Sequence, residues 1–264
     1  MSNRRSPIPR RTGKIGWKRL LLRANSQEVM PMLWEDEAKK EEFVVPQNMV
    51  DLVFKIDCRQ LPVTHASELY QALHSALPWL PEEPAVGIHQ IHGATSGNGW
   101  ERPADDGVLH LSKRSRMTLR MPSHRLDDVD ELVGKSLDIA GNIVKVGGYN
   151  VKPLMPQAVI FARYVAMPHG MEEDEFLRWV LDQLAEQEIK VRKMLCGIGH
   201  NISTPEGDVS TRSLMIADLD KPTSIALQEQ GIGPLRHYGC GIFLPHKGIR
   251  AVGSEEDRSH FSGA

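Results

Sequence analysis

Cysteine is scarce in this chain. Cys58, Cys196 and Cys240 stand far apart and form no C-x-x-C pair, which argues against a zinc ribbon or a disulfide framework and suits a reducing compartment. Long hydrophobic runs are missing too. Nothing approaches the ~20 apolar residues of a membrane-spanning helix, and Leu20–Leu22 is too short for the core of a signal peptide. The expectation is a soluble, cytoplasmic protein with no membrane partner. An excess of one charge is also lacking: the formal net charge is −2, so any polyanion must be met by a local patch. Aromatic residues make up only 6%, which makes serial base stacking an unobvious way to hold a nucleic acid. The G-x-x-x-x-G-K-[ST] phosphate loop is absent.

What remains is the composition of a globular protein, 41% hydrophobic and 25% charged over 264 residues, enough for one large domain or two small ones. Residues 1–46 carry a basic block (Arg4 to Arg23) and an acidic run (Glu35 to Glu42), and charge blocks of this kind are usually solvated. From Val50 to Cys58 the residues alternate as in a half-buried strand. Thr64 is a possible cap for a helix from Ala66 to Leu77, whose Leu69, Ala72, Leu73, Ala76 and Leu77 share one face. Strands follow at Val86–Ile91 and within Val108–Met121, with a Gly/Ser/Asn loop at 93–99 between them. A helix over Leu126–Leu137 and a strand over Ile139–Val146 complete a β-α-β-β-α-β order.

The order then repeats. Ala158–Ala166 is a strand, and Glu172–Gln187 a helix with an acidic first turn that suits its dipole. Lys193–Ile198 and Ser213–Leu219 read as paired strands, Ser224–Gln230 as a short helix and Ile242–Leu244 as part of a last strand. The predicted fold is α+β, with tandem ferredoxin-like (RRM-like) units at 47–155 and 156–253, a charged extension at 1–46 and a tail at 254–264.

One stretch departs from ordinary folding text. GIGPLRHYGCGIFLP (Gly231–Pro245) places Gly231, Gly233, Gly239 and Gly241 around Arg236 and His237. Such a loop could cradle phosphates through its N–H groups, or be a turn that packs under the sheet. Cations gather elsewhere. Alternation directs Arg114, Arg116 and Arg120 to one strand face, a stripe suited to an RNA backbone or equally a solvated surface. Lys190, Arg192 and Lys193 precede the second hairpin, with Arg212 across it. His89 and His92, three apart on a strand, should face opposite sides without further ligands nearby, so no metal site is expected.

With the two units placed, the chain resembles the RAMP superfamily of CRISPR-associated proteins, and within it the repeat-processing endoribonucleases of the MYXAN subtype. The resemblance runs over about residues 47–250. It is carried by L-P-x-x-H-x-x-x-L-Y-x-A-L (Leu61 to Leu73), V-G-I-H-x-I (Val86 to Ile91), S-R-x-x-L-R (Ser115 to Arg120), L-x-G-K-x-L (Leu132 to Leu137) and F-A-R-Y-V (Phe161 to Val165). The most specific block is L-Q-E-x-G-I-G-x-x-R-x-x-G-C-G-I-F-x-P (Leu227 to Pro245).

That resemblance implies cleavage of CRISPR precursor RNA within its hairpin repeats, without metal or other cofactor. The ribose 2′-hydroxyl attacks its own 3′-phosphate, leaving a 2′,3′-cyclic phosphate and a 5′-hydroxyl. It further implies retention of the processed guide RNA and contact with other interference-complex subunits. The alternative is a non-catalytic RAMP scaffold that only binds guide RNA.

The reaction needs a base, an acid and donors for the phosphorane charge, and histidine suits the proton work because its ordinary pKa is about 6.5. His74 matches the first-helix histidine or tyrosine that other branches use. His65 and His89 are the other catalytic candidates. His65 and His74 would stand ~14 Å apart along a helix axis, too far for one acid–base couple. Tyr70 either orients a phosphate or packs in the core. Candidate RNA contacts are Arg114, Arg116, Arg120, Lys193, Arg212, Arg236, His237 and the loop glycines, with Lys247 adding charge.

Overall fold

Alternating apolar residues build the first sheet. In the computed structural model, which describes residues 43–93, 107–168 and 171–246, β1 (Met49–Asp57) turns Leu52, Phe54 and Ile56 inward. β2 (Gln60–Pro62) leads to α1 (Ala66–Ala76), whose Leu69 and Leu73 lie against that face. Burying each of these leucines contributes about 1.5–3 kcal/mol. Next come β3 (Gly87–Ile88), β4 (Val108–His110), β5 (Arg116–Pro122), β6 (Ser136–Ile139) and β7 (Asn142–Pro153). The five-stranded sheet runs β3-β5-β1-β7-β6, with its pairings antiparallel, and β4 pairs with β2 apart from it.

The second half repeats the plan with β8 (Ile160–Ala166), α2 (Glu173–Glu186), β9 (Lys193–Thr204), β10 (Gly207–Ala217), α3 (Lys221–Gln230) and β11 (Phe243–Pro245), in sheet order β11-β8-β10-β9. Glu172 and Glu175 form a capping box at the start of α2. Asp220 caps α3 by accepting the Thr223 N–H. Phe176, Val180 and Leu184 bury against Ile160, Ala162, Leu214 and Ile216. These are two antiparallel ferredoxin-like units, as the repeated element order predicts, and they pack into one compact unit.

Three local readings are corrected. No α-helix forms over 126–137: two short 3-10 turns, Ser123–Arg125 and Asp127–Leu132, stand there. Pro122 stands before these turns and Gly134, at φ +86, follows them. The strand expected from Ile139 is a hairpin of β6 and β7, because Ala140 and Gly141 both take positive φ (50 and 76) and reverse the chain. The first residue before α1 is His65 rather than Thr64, and it makes no side-chain cap. The expected extension at 1–46 (up to residue 42), the 93–99 loop beyond Gly93, Lys247 and the 254–264 tail lie outside the described residues. Among the described residues, no helix is long and apolar enough to cross a membrane.

The halves are tied by a side chain expected to face RNA. Arg120 stands opposite Asp51 across β5 and β1 and is fully buried. Its Nε and Nη2 donate to the Asp51 carboxylate at 2.7 and 2.9 Å. Nη1 donates to the main-chain oxygens of Gln228 (3.0 Å) and Phe243 (2.7 Å), at the end of α3 and in β11. Burial pulls the Asp51 carboxyl upward, but the bonds and charge of Arg120, with His89 and Lys152 adding, leave it below the ordinary carboxylate range. Removing one partner strands a buried charge. Arg120→Met is therefore expected to cost about 3–5 kcal/mol in urea unfolding at neutral pH, and the Asp51→Asn, Arg120→Met double variant less than the sum. A loss under about 1 kcal/mol would show that the pair does not join the halves.

A histidine and tyrosine site where the first helix meets the glycine loop

On α1, Tyr70 and His74 are one helical turn apart and share a face. Their rings stack with centroids 5.8 Å apart and 17° between planes. Tyr70 is half-buried and His74 exposed. From the other half, the glycine loop brings His237, which stacks on Tyr70 at 5.4 Å and 8°, and Tyr238, tilted against the same ring at 5.1 Å. One tyrosine thus collects two histidines from distant parts of the chain.

The loop holds this position through its backbone. Leu235 adopts a left-handed conformation (φ 68) and Arg236–Tyr238 form one 3-10 turn that Gly239 (φ 88) closes. Two glycines are required by contact as well as by dihedral angle. A Cβ on Gly239 would come 3.1 Å from the Ile88 oxygen, and one on Gly241 would collide with the Ile232 carbonyl. The N–H groups of Gly231, Gly239 and Gly241 are spent on the carbonyls of Leu227, Arg236 and Tyr164, while Gly233 lies against Ala166 and Trp179. Of the two readings the sequence left open, these contacts fit the turn that packs under the sheet: the glycines let the loop approach β3 and β8.

Arg236 fits the same reading. It is buried, donating from Nε to the Ala85 oxygen (3.2 Å) and from Nη1 to the Gln230 oxygen (2.8 Å). Burial, with the neighbouring Arg120 charge against the pull of Asp51, lowers it to about 10. Its neighbour His237 is half-buried, and its Nε2 lies 3.1 Å from the Glu83 oxygen. A carbonyl only accepts, so Nε2 carries the proton and the lone pair of the neutral ring is on Nδ1. Burial lowers the pKa of His237, the Arg236 and His74 charges add to this, and the bond to Glu83 opposes it.

His65, a catalytic candidate by sequence, is buried. Its Nδ1 is 2.8 Å from the Pro62 oxygen, and its Nε2 accepts the Ile91 N–H at 3.0 Å. Both nitrogens are therefore occupied. His89 lies apart from the stacked rings, with Nε2 4.0 Å from Asp51 Oδ1 and no hydrogen-bond partner among the described residues. Because β3 ends at Ile88, His89 and His92 do not alternate as expected. Both line one cleft of about 550 Å³ with Arg114, Arg116 and Lys152. Arg114 is exposed, and Arg116 is half-exposed with Nη1 bonded to the Lys113 and Ser115 oxygens. In the second half Lys193 pairs with Asp218 at 2.8 Å, while Arg212 lines a separate cleft of about 320 Å³ with His200, Asn201 and Ser210. Among the described residues, no group of three or more His, Cys, Asp or Glu side chains is placed to hold a metal ion.

A family model described as "Cas6 Crispr" matches residues 50–248. The chain is similar to the CRISPR-associated endonuclease Cas6 of Myxococcus xanthus, at 29% identity over 231 residues, covering 88% of this chain and 92% of that protein. Among solved structures, a Cas6-related protein from Pyrococcus furiosus superposes with a TM-score of 0.51 at 13% identity, covering 74% of this chain and 98% of its own. Another, described as CRISPR associated protein Cas6, gives 0.52 at 10% identity, covering 75% and 100%. Those two likenesses establish the tandem ferredoxin-like fold.

The cleft makes a prediction about acid. Burial, with the Arg120 and Arg236 charges outweighing Asp51, brings His89 down to about 4. Below about 6.5 the unfolded chain takes up a proton that the folded chain refuses until about 4. Stability is expected to fall across that window on acidification, and less so in His89→Gln. Identical pH–stability curves for the two proteins would contradict it.

Proposed function

Because the chain belongs to the Cas6 family, we propose that it is an endoribonuclease that cuts CRISPR precursor RNA within the repeat and retains the guide RNA released. The observation that carries this reading is the stacking of His74 and His237 on Tyr70, which gathers two imidazoles from opposite halves at one partly open surface.

RNA supplies its own nucleophile, the 2′-hydroxyl beside the scissile phosphate. His237, neutral at working pH because burial holds its proton affinity down, takes that proton at Nδ1. The 2′-oxygen bonds to phosphorus and the bond from phosphorus to the 5′-oxygen breaks. His74, exposed at the end of α1, gives a proton to the departing 5′-oxygen. The products are a 2′,3′-cyclic phosphate and a 5′-hydroxyl, and no step calls on a metal. Tyr70 keeps both rings in register, and Arg114, Arg116 and Lys152 in their cleft hold the flanking backbone as point charges.

With its own repeat RNA, the protein is expected to cut in excess chelator, and a single 2′-deoxy nucleotide at the scissile position should abolish cutting while leaving binding intact. His74→Ala should slow single-turnover cleavage by about 10² or more. Arg116→Ala should weaken binding and reduce its salt slope by about 1. Cleavage of the 2′-deoxy substrate, or an absolute need for Mg²⁺, would remove the mechanism. A wild-type protein that binds repeat RNA and never cuts it would leave the scaffold reading.

A further inference from the structure

The partner of His237 is the main chain of a short strap, and that strap is braced from behind. Between α1 and β3 the chain makes one 3-10 turn, Leu80–Glu82, among Pro78, Pro81 and Pro84, with Leu80 and Val86 buried at either end. Two consecutive loop side chains grip it: Arg236 at the Ala85 oxygen and His237 at the Glu83 oxygen. The same Glu83 is held through its side chain on the far side. Its carboxylate accepts from Arg125 Nε at 2.9 Å and lies 3.2 Å from His124 Nε2. Arg125 in turn donates to Asp128 at 3.0 Å, and its guanidinium lies 4.9 Å from the Trp79 ring centroid.

We propose that Arg125 is a positioning residue for the reaction, acting through Glu83 to aim the carbonyl that keeps the proton of His237 on Nε2 and its lone pair on Nδ1. The inference rests on the reading of His237 as the proton acceptor. Its physical basis is that one residue carries both bonds. An ion pair alone on an exposed surface contributes little, but here the planar guanidinium is fixed by Asp128 and by the Trp79 face, so it restricts where Glu83 can stand. The Glu83 carbonyl also accepts the Val86 N–H at 3.0 Å, so His237 and Val86 share one acceptor. Without the brace, Glu83 turns toward solvent, the carbonyl tilts, and His237 populates both neutral tautomers. The fraction with its proton on Nδ1 cannot accept the 2′-hydroxyl proton there. Arg125 itself touches neither the rings nor the reacting atoms.

Long-range ¹H–¹⁵N spectra of ¹⁵N-histidine-labelled protein near neutral pH report the tautomer directly. Wild type is expected to show His237 protonated at Nε2 only, and Arg125→Met to show a mixture. Saturating single-turnover cleavage of repeat RNA should fall about tenfold, as expected for a catalytic group misplaced by a fraction of an ångström, with RNA affinity unchanged. Arg125→Lys, which keeps the charge, should restore part of both. Should Arg125→Met not fold, Glu83→Gln is read the same way, since it keeps the carbonyl and loses the charge pair. An unmoved His237 spectrum overturns the proposal whatever the rate does. A loss of affinity at an unchanged saturating rate also overturns it, making Arg125 an RNA contact. If wild type itself does not cut, the functional reading fails, and the spectra still decide whether Arg125 sets the tautomer.

Discussion

The Arg120 guanidinium is wholly enclosed, and four hydrogen bonds go out from it: two to the Asp51 carboxylate of its own sheet and two to main-chain oxygens at Gln228 and Phe243 in the other half. A charge removed from water is tolerable only where each polar contact is met. That requirement fixes the end of α3 and the start of β11 against β5. The glycine loop is the segment between those two points, so its ends are set before any of its own contacts form.

Division of labour within the loop follows. Arg236 is buried and bonded to Ala85 and Gln230, and Gly239 and Gly241 bring backbone against backbone. These residues serve attachment. His237, one residue from Arg236, keeps one nitrogen for the strap carbonyl and faces Tyr70 with its ring. The reaction proposed for this surface needs two groups that exchange protons near neutral pH. Burial lowers the proton affinity of His237, and His74 stands in solvent at the end of α1.

Period-2 alternation along β1 and β5 and period-3.6 spacing on α1 and α2, with the repeated element order, made the tandem fold legible, because burying one face of each element is what those patterns encode. Alternation grouped Arg114, Arg116 and Arg120 on one strand face; β5 begins at Arg116, so Arg114 lies in the turn before it, and only Arg116 and Arg120 share the strand. It could not say that the second half covers that face at Arg120 and leaves it open at Arg116, because the cover comes from residues more than a hundred positions away. The burial of His65 was hidden for a different reason: its partners, the Pro62 oxygen and the Ile91 N–H, are main-chain groups with no signature in the sequence. The pairing of Tyr70 with His74 was open to reading, since four residues on a helix is one turn. Their meeting with His237, and the bracing of Glu83 by Arg125, arise only from packing between elements. The helix expected at 126–137 could not run past Gly134, whose positive φ starts the path to β6.

The account holds that His74 and His237, one from each half, act as a single unit on one RNA bond. Groups that work together lose their value together, so a double-mutant cycle on saturating single-turnover cleavage of repeat RNA tests it most directly. His74→Ala and His237→Ala should each slow the reaction by about 10² or more, and the double variant should be little slower than the worse single one. If the two losses multiply, or if His237→Ala cuts at the wild-type rate, the two imidazoles do not share a site.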